Sequence, residues 1–270
     1  MRISLNKINN QLVKPVRFLG GGDSRPLKGA ELFNEAYANI YLNAKKKSGK
    51  TNVIFKIIKE CAGKDTVVIA FVSTIYKDPV WKSIRNYLEK KGIAFEGYTS
   101  LFEEGQDILN EVVNSLQQED ESESESEEAP AFVKFYDSDG EGGKPRKPKY
   151  LAPEYIFIFD DLSNELKSKS IISLLKKNRH FKCKTIISSQ FWNDLDVQSR
   201  KQLDYILIFR GMPEYKLREI HRDADLSIDF DVFVKIYAFA TSKPYSFLYI
   251  NTRNDGLRIN FDKEIYIDEN

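Results

Sequence analysis

The chain has 270 residues, of which 41 are Lys or Arg and 40 are Asp or Glu, so its formal net charge is +1. This balance gives little information about partners, and recognition of a charged partner would depend on local clusters of charge. With 41% hydrophobic and 13% aromatic residues, the chain has enough apolar material for a core in one or two domains.

Signals for membrane insertion, secretion and disulfide bonding are not visible in the sequence. No apolar run approaches the roughly 18 residues that would cross a membrane. Residues 1–15 are polar and basic without an apolar stretch, so we expect no signal peptide. The two cysteines, Cys61 and Cys183, lack metal-ligand spacing and indicate no disulfide framework, which favours a reducing compartment.

A phosphate-binding loop is the first motif along the chain. We interpret residues 1–36 as an accessory segment and residues 37–270 as one domain, in which an apolar strand at 38–42 comes first. Residues 44–51 then match the pattern [G/A]-x-x-x-x-G-K-[S/T], and a helix follows over 53–58. The helix N-terminus would favour a phosphate. The predicted nucleotide-binding residues are Ala44, Lys45, Lys46, Lys47, Ser48, Gly49, Lys50 and Thr51.

Two residues carry the chemistry that this loop predicts. The Lys50 ammonium would reach the β- and γ-phosphates of ATP, and the Thr51 hydroxyl would ligate Mg²⁺. Ala44 replaces the usual glycine, and because alanine tolerates positive φ poorly we expect an effect on affinity alone. The alternative is a lysine-rich exposed turn.

The next part of the chain alternates strands and helices and then loses this pattern. Strands are predicted at 66–72 and 93–98, and helices at 81–91 and 108–116. Residues 118–149 are rich in acidic residues and serine and then in glycine, proline and basic residues. Such a segment cannot bury enough apolar surface to order itself, so we predict a disordered insert.

Two adjacent carboxylates follow the next buried strand. Residues 155–159 form a continuous apolar run that ends at Asp160 and Asp161. Such a run is typical of a buried parallel strand, and ligands bind at the carboxyl ends of these strands. Asp160 would hold Mg²⁺ directly or through water, and Asp161 would polarise the attacking water. A helix N-cap after the strand is the alternative for this pair.

The remaining elements complete an α/β pattern. A strand ending at Gln190 could place this side chain beside the γ-phosphate, where it would report the nucleotide state, although the glutamine taken alone favours an ordinary strand end. The alternation predicts a mostly parallel central sheet flanked by helices, with a C-terminal β-hairpin. Helices are predicted at 163–180, 214–223 and 229–241, and strands at 184–190, 203–210, 247–251 and 257–261.

The order of these motifs resembles a known family. The phosphate loop, the Asp-Asp pair, Arg-His at 179–180 and Ser-Gln at 189–190 resemble the poxvirus-type DNA-packaging ATPases of the FtsK–HerA superfamily. The compact chain is most similar to the virophage or Polinton-like form, over about residues 36–260 without the insert. This resemblance implies an α/β P-loop NTPase fold of the RecA/FtsK–HerA type with ATP and Mg²⁺ as cofactors.

The resemblance also implies a function and partners. It implies an ATP-driven motor that threads double-stranded DNA, without sequence preference, into a preformed capsid. Such motors self-associate into a ring and act at a capsid vertex or portal protein, inside the cell in the host cytoplasm or viral factory, or with the virion. An arginine from a neighbouring subunit would complete the site, and Arg179 and Arg200 are the candidates by position. Each is equally consistent with an ordinary surface or helix-end arginine.

Direct signals for DNA contact are weak, and other functions stay open. No base-reading motif is present, and the basic clusters are Lys45 to Lys47, Lys176–Lys177 and Lys144 to Lys149. The first of these lies in the phosphate loop and would face ATP or solvent. The alternatives are another P-loop ATPase or helicase, a small-molecule P-loop kinase, for which no arginine-bearing lid is evident, and a non-catalytic nucleotide-binding scaffold.

Overall fold

The computed structural model describes residues 24–123, 149–162 and 164–267. Among these residues, no helix combines the length and apolar character that a membrane span requires. In chain order the elements are β1 (Asn39–Asn43), α1 (Lys50–Cys61), β2 (Val67–Val72), α2 (Pro79–Lys91), β3 (Ala94–Tyr98), β4 (Phe102–Glu103), β5 (Gln106–Asp107), α3 (Ile108–Glu123), β6 (Tyr155–Asp160), α4 (Lys169–Lys177), β7 (Cys183–Ser189), α5 (Val197–Arg200), β8 (Tyr205–Phe209), α6 (Glu214–Asp223), α7 (Phe230–Ala240), β9 (Phe247–Asn251), β10 (Gly256–Ile259) and β11 (Lys263–Glu264).

A nine-stranded sheet forms the centre of the fold, in the order β11-β10-β9-β8-β1-β7-β6-β2-β3. The strands from β8 to β3 run parallel to one another, whereas β9, β10 and β11 pair antiparallel. This confirms the predicted α/β fold with a mostly parallel sheet and a C-terminal hairpin. The phosphate loop follows β1, the central strand.

Burial on both faces explains why the parallel strands have continuous apolar sequences. In β1, Tyr41 packs into a core on one face with Phe157 and Phe159 of β6, while Ile40 and Leu42 pack into a core on the other face. Successive side chains of a strand point to opposite faces, so a sheet covered by helices on both sides requires apolar residues at every position.

Two predicted boundaries were wrong. The helix predicted at 163–180 is the shorter α4, because Ser168 caps its N-terminus and accepts a hydrogen bond from the Ile171 N–H at 3.4 Å. Helix α3 continues to Glu123, past the predicted start of the insert at 118. Residues 124–148 lie outside the described residues, so the predicted disorder of that stretch stays a prediction.

The described part of the predicted accessory segment packs onto the sheet. Phe33 is fully buried, and its ring lies 4.8 Å from Tyr205, 5.8 Å from Phe261 and 6.1 Å from Tyr249, measured between centroids. The Tyr249 hydroxyl also donates to the Leu32 carbonyl at 3.0 Å. Residues 24–36 thus contribute to the core, while residues 1–23 lie outside the described residues. The domain boundary at 36 stays a prediction.

Phe33→Ala should lower the free energy of unfolding by about 3–5 kcal/mol, because it removes a buried ring and leaves a cavity against β8 and β9. Phe239→Ala is the matched control, since Phe239 is 67% exposed, and it should change stability by about 0.5 kcal/mol or less. Urea unfolding of both variants measures the difference. Equal losses would show that the segment containing Phe33 does not support the core.

Candidate active site

The phosphate loop connects β1 to α1 at the carboxyl end of the parallel strands. The Ala44 N–H donates to the Ser189 carbonyl at 3.0 Å, which fixes the start of the loop to the end of β7. The chain then turns through two left-handed residues, Lys47 at φ 62° and Gly49 at φ 88°. Lys50 begins α1 directly afterwards. The structure thus gives residues 44–51 the strand–loop–helix arrangement that a phosphate loop requires.

Position 44 does not require a glycine. Ala44 is fully buried and does not have a positive φ, so glycine's backbone freedom is not needed at position 44. Glycine is instead favoured at position 49, where φ is positive and an added methyl group would lie 3.3 Å from the Tyr245 ring. The backbone conformation at position 44 therefore gives no reason to expect that alanine lowers the affinity for a nucleotide.

The N-terminus of α1 has features that favour the binding of an anion. The N-cap residue is Gly49, which has no side chain to cap the helix, and the first turn of α1 contains no acidic residue. The N–H groups of a first helical turn have no partners within the helix, and the helix dipole favours negative charge there. Among the residues that the structure describes, the Ser48 hydroxyl next to this helix start is buried without a hydrogen-bond partner. Buried polar groups normally have a partner, so this place fits a polar ligand.

A buried ion-pair triad connects the loop to β6. The Lys50 ammonium lies 2.9 Å from Asp160 Oδ1 and also pairs with Asp161. The Lys50 side chain is only 9% exposed and Asp160 is buried, whereas Asp161 is about one-third exposed and has a φ of 58°. Because β7 lies between β1 and β6, the lysine reaches across one strand. The structure thus brings together three residues that the sequence predicted for one site.

Burial and the neighbouring charges shift the pKa values of Lys50 and Asp160. Burial lowers the pKa of Lys50, but the charges and hydrogen bonds of Asp160 and Asp161 raise it more, so the net shift is upward. Burial raises the pKa of Asp160 above its ordinary value, although Lys50 opposes this shift. Lys50 therefore stays an ammonium that balances the two carboxylates.

Gln190 lies at the same edge of the sheet. In the strand register, Ser188 of β7 is opposite Asp160, and Ser189 is opposite Asn43. Gln190 follows in a bend, and the Tyr41 hydroxyl fixes the next residue by donating to the Phe191 carbonyl at 2.8 Å. The backbone around Gln190 is therefore tied to the centre of the sheet.

The donor set fits Mg²⁺. Thr51 follows Lys50 in the first turn of α1 and offers a hydroxyl, while Asp160 offers carboxylate oxygens, and Mg²⁺ prefers oxygen ligands of these kinds. Across residues 24–123, 149–162 and 164–267, no group of three or more His, Cys, Asp and Glu side chains could hold a metal. Mg²⁺ bound with one or two protein ligands is usually completed by substrate phosphates and water.

The two candidate arginines lie at the opposite edge of the sheet. Arg179 follows α4, before the start of β7, and its side chain is 59% exposed and 3.7 Å from Glu35. Arg200 ends α5, before the start of β8, and is 9% exposed in a 3.0 Å pair with Asp223. Since the five-residue strand β1 spans about 17 Å, neither arginine belongs to its own chain's phosphate loop.

The other predicted basic contacts are dispersed. Lys45, Lys46 and Lys47 are exposed in the loop, as are Lys176 and Lys177 at the end of α4. Lys144 to Lys147 lie outside the described residues. A cleft of about 670 Å³ at the opposite edge from the loop is lined in part by Arg200, Arg222 and Thr252, so it is separate from the candidate active site.

Comparison with known proteins identifies the fold. No protein-family model matches the chain, and no curated protein sequence matches it. Among solved structures, the DNA-packaging ATPase B204 of Sulfolobus turreted icosahedral virus has a TM-score of 0.53 at 18% identity, covering 85% of this chain and 98% of that one. The genome packaging NTPase B204 of Sulfolobus turreted icosahedral virus 2, in complex with sulfate, has a TM-score of 0.52 at 20% identity, with 87% and 100% covered. At such identities the likeness shows a shared fold.

Lys50→Ala should destabilise the nucleotide-free protein by about 3 kcal/mol near neutral pH, because buried Asp160 loses its cation. The folded state raises the pKa of Asp160, so the stability linked to its protonated form is present at low pH and is lost as pH rises. Removing Lys50 raises this pKa further, and the deficit should therefore be smaller at about pH 5 than at about pH 7.5.

Urea unfolding at both pH values measures this deficit. Lys56→Ala is the control, because Lys56 forms an exposed 2.7 Å pair with Glu60 on α1, and it should cost less than about 0.5 kcal/mol at either pH. A deficit in Lys50→Ala that does not change with pH would contradict the role assigned to Asp160.

Proposed function

We propose that this chain is an ATPase motor that binds MgATP at residues 44–51 and uses its hydrolysis to translocate double-stranded DNA into a viral capsid. The observation that carries the ATPase part is the buried contact of Lys50 with Asp160 and Asp161 at the start of an uncapped helix. This arrangement combines a cation for phosphates, oxygen ligands for a metal and a more exposed carboxylate beside them.

The residues would divide the chemistry as follows. Lys50 and the first turn of α1 would bind the β- and γ-phosphates, while Thr51 and Asp160 would hold Mg²⁺. When bound, Mg²⁺ would neutralise phosphate charge. Asp161, which is only partly buried, would orient and polarise the attacking water, and Gln190 at the end of β7 would respond to the γ-phosphate.

The DNA-packaging part of the proposal has two supports. The order of the sequence motifs resembles the poxvirus-type and virophage-like packaging ATPases. Independently, the chain shares its fold with proteins described as a DNA-packaging ATPase and a genome packaging NTPase. We therefore propose a ring of subunits that grips the DNA backbone without reading bases, binds a capsid vertex or portal protein and acts inside the infected cell.

ATP turnover with and without duplex DNA tests this proposal. Wild-type protein should hydrolyse ATP in the presence of Mg²⁺, and duplex DNA should raise the rate. Lys50→Ala should abolish turnover, and Asp160→Asn should weaken Mg²⁺-dependent ATP binding. Asp161→Asn should bind ATP normally but lose hydrolysis, because its carboxylate acts on water.

Two outcomes would contradict the proposal. An ATP turnover rate that duplex DNA does not change would indicate a P-loop ATPase or kinase with another substrate. Equal loss of ATP affinity in the two aspartate variants would contradict the division of labour between them.

We further propose that Arg179, rather than Arg200, completes the site of a neighbouring subunit, because Arg179 is exposed while Arg200 is committed to Asp223. Arg179→Ala should leave ATP affinity unchanged and lower turnover on the order of 10³-fold. Arg200→Ala should instead cost about 1–2 kcal/mol of stability, because Asp223 loses its 3.0 Å contact with Arg200 but keeps its hydrogen bonds from Trp192 and Arg222.

Mixing provides a decisive control for a contribution between subunits. Arg179→Ala and Lys50→Ala proteins should each be inactive alone and partly active together, because each supplies what its neighbour lacks. Specific activity of the wild type should also rise with protein concentration as rings form. A flat activity profile without rescue would indicate a self-contained monomer.

A further inference from the structure

An exposed tyrosine touches the phosphate loop from the side opposite the carboxylates. A methyl group on Gly49 would lie 3.3 Å from Cδ1 of Tyr245, so this ring lies against the last glycine before Lys50. Tyr245 is nevertheless 72% exposed. It comes from the connection between α7 and β9, 196 residues after Gly49, and nothing in the sequence pattern marks it.

The sheet topology shows why Tyr245 reaches this place. β9 is antiparallel to β8, and Phe247 at its start pairs with Phe209 at the end of β8. The end of β8 in turn pairs with Asn43, the residue before the loop. The segment that precedes β9 therefore lies at the same edge as the phosphate loop, on its β8 side.

The backbone holds Tyr245 in a strained position. Residues 243–246 form a turn in which the Lys243 carbonyl accepts the Ser246 N–H at 3.4 Å and the Ser246 hydroxyl at 2.6 Å. Pro244 is the second residue of the turn, and Tyr245 is the third with a φ of 63°. This position of a turn with positive φ favours glycine or asparagine. A bulky residue kept there without contributing to the core indicates a functional constraint.

The ring face is open. Two other exposed aromatic side chains that follow strands at this edge each have a cation over the ring: Lys216 lies 4.3 Å from the Phe191 centroid and Arg85 lies 5.2 Å from that of Tyr76. Within the part of the chain that the structure describes, none of the ring–ring or cation–ring contacts involves Tyr245. The open face is therefore available to a flat ligand.

The direction of a bound nucleotide follows from the triad. Asp160 and Asp161 contact Lys50 from the β6 side, so these carboxylates would hold the metal and the γ-phosphate on that side of the loop. The nucleoside would then leave the loop away from β6, toward β8 and β9. Tyr245 is the exposed aromatic that touches the loop on this side.

We propose that the Tyr245 ring is the platform on which the base of the bound nucleoside triphosphate stacks. This inference rests on the proposed nucleotide-binding function and adds a residue that sets affinity for the base. Stacking on an aromatic ring needs no hydrogen-bonding pattern, because every base has a π-face. Tyr245 would therefore contribute affinity for nucleotides in general.

The test separates the base from the phosphates. Equilibrium binding in the presence of Mg²⁺ would be measured for ATP and for inorganic tripolyphosphate, which has no base. Tyr245→Ala should weaken ATP binding about 5- to 100-fold, while tripolyphosphate binding stays within about twofold of wild type. Tyr245→Phe keeps the ring and should bind ATP as wild type does. Tyr266→Ala, at an exposed tyrosine beyond β11, is the control and should change neither affinity.

A spectroscopic variant supplies a second readout. Tyr245→Trp should show a change in fluorescence with ATP, because the base would stack on the indole, and no change with tripolyphosphate. Normal ATP binding by Tyr245→Ala would overturn the platform. Equal loss of ATP and tripolyphosphate binding would also overturn it, because the tyrosine would then only support the loop. If wild-type protein bound neither ligand, both the proposed function and this inference would be wrong. If it bound ATP in a Lys50-dependent way but Tyr245→Ala bound ATP normally, only this inference would be wrong.

Discussion

The ammonium of Lys50, buried against two carboxylates, is the interaction on which the candidate site depends. It joins the start of α1 to the end of β6 across the intervening strand β7. A buried charge must be balanced, because an unpaired ion in the interior is costly. If Lys50 moved toward a polyphosphate, Asp160 and Asp161 would need another cation. Under the proposed function, this charge balance would couple the binding of phosphates to the binding of a divalent metal.

The strand register places this ion pair where the side chains of the sheet change from apolar to polar. One row of the sheet is apolar across three neighbouring strands, with Tyr41, Ile187 and Phe159 side by side. The next two rows toward the loop contain Asp160 opposite Ser188, and then Asn43 opposite Ser189. Buried polar side chains without full hydrogen bonding cost stability, so a row of them would be disfavoured in an ordinary core. Because parallel strands end at the same edge of the sheet, the polar residues at the ends of β1, β7 and β6 lie side by side, although these strands are far apart in the sequence.

The sequence predicted the parts of the molecule that follow from local pattern. The continuous apolar strands, the loop at 44–51 and the carboxylates after β6 could be predicted, because burial on both faces and the loop chemistry leave strong local signals. Three features could not be predicted. The partner that buries Arg200 is Asp223 on another helix, the two-residue strands β4 and β5 have no measurable period, and Tyr245 reaches the loop only through the antiparallel addition of β9. Each depends on contacts between distant segments.

Backbone strain gives an independent indication of where function lies. Three of the eight non-glycine residues with positive φ in the described part of the chain surround one place: Lys47 in the loop, Asp161 after β6 and Tyr245 before β9. Each such residue costs about 1–2 kcal/mol relative to an ordinary backbone conformation. Aspartate tolerates this region better than most residues, but lysine and tyrosine do not. A chain selected for stability alone would place glycine or asparagine at these positions. Their clustering around the phosphate loop indicates that this edge of the sheet is organised to hold a ligand.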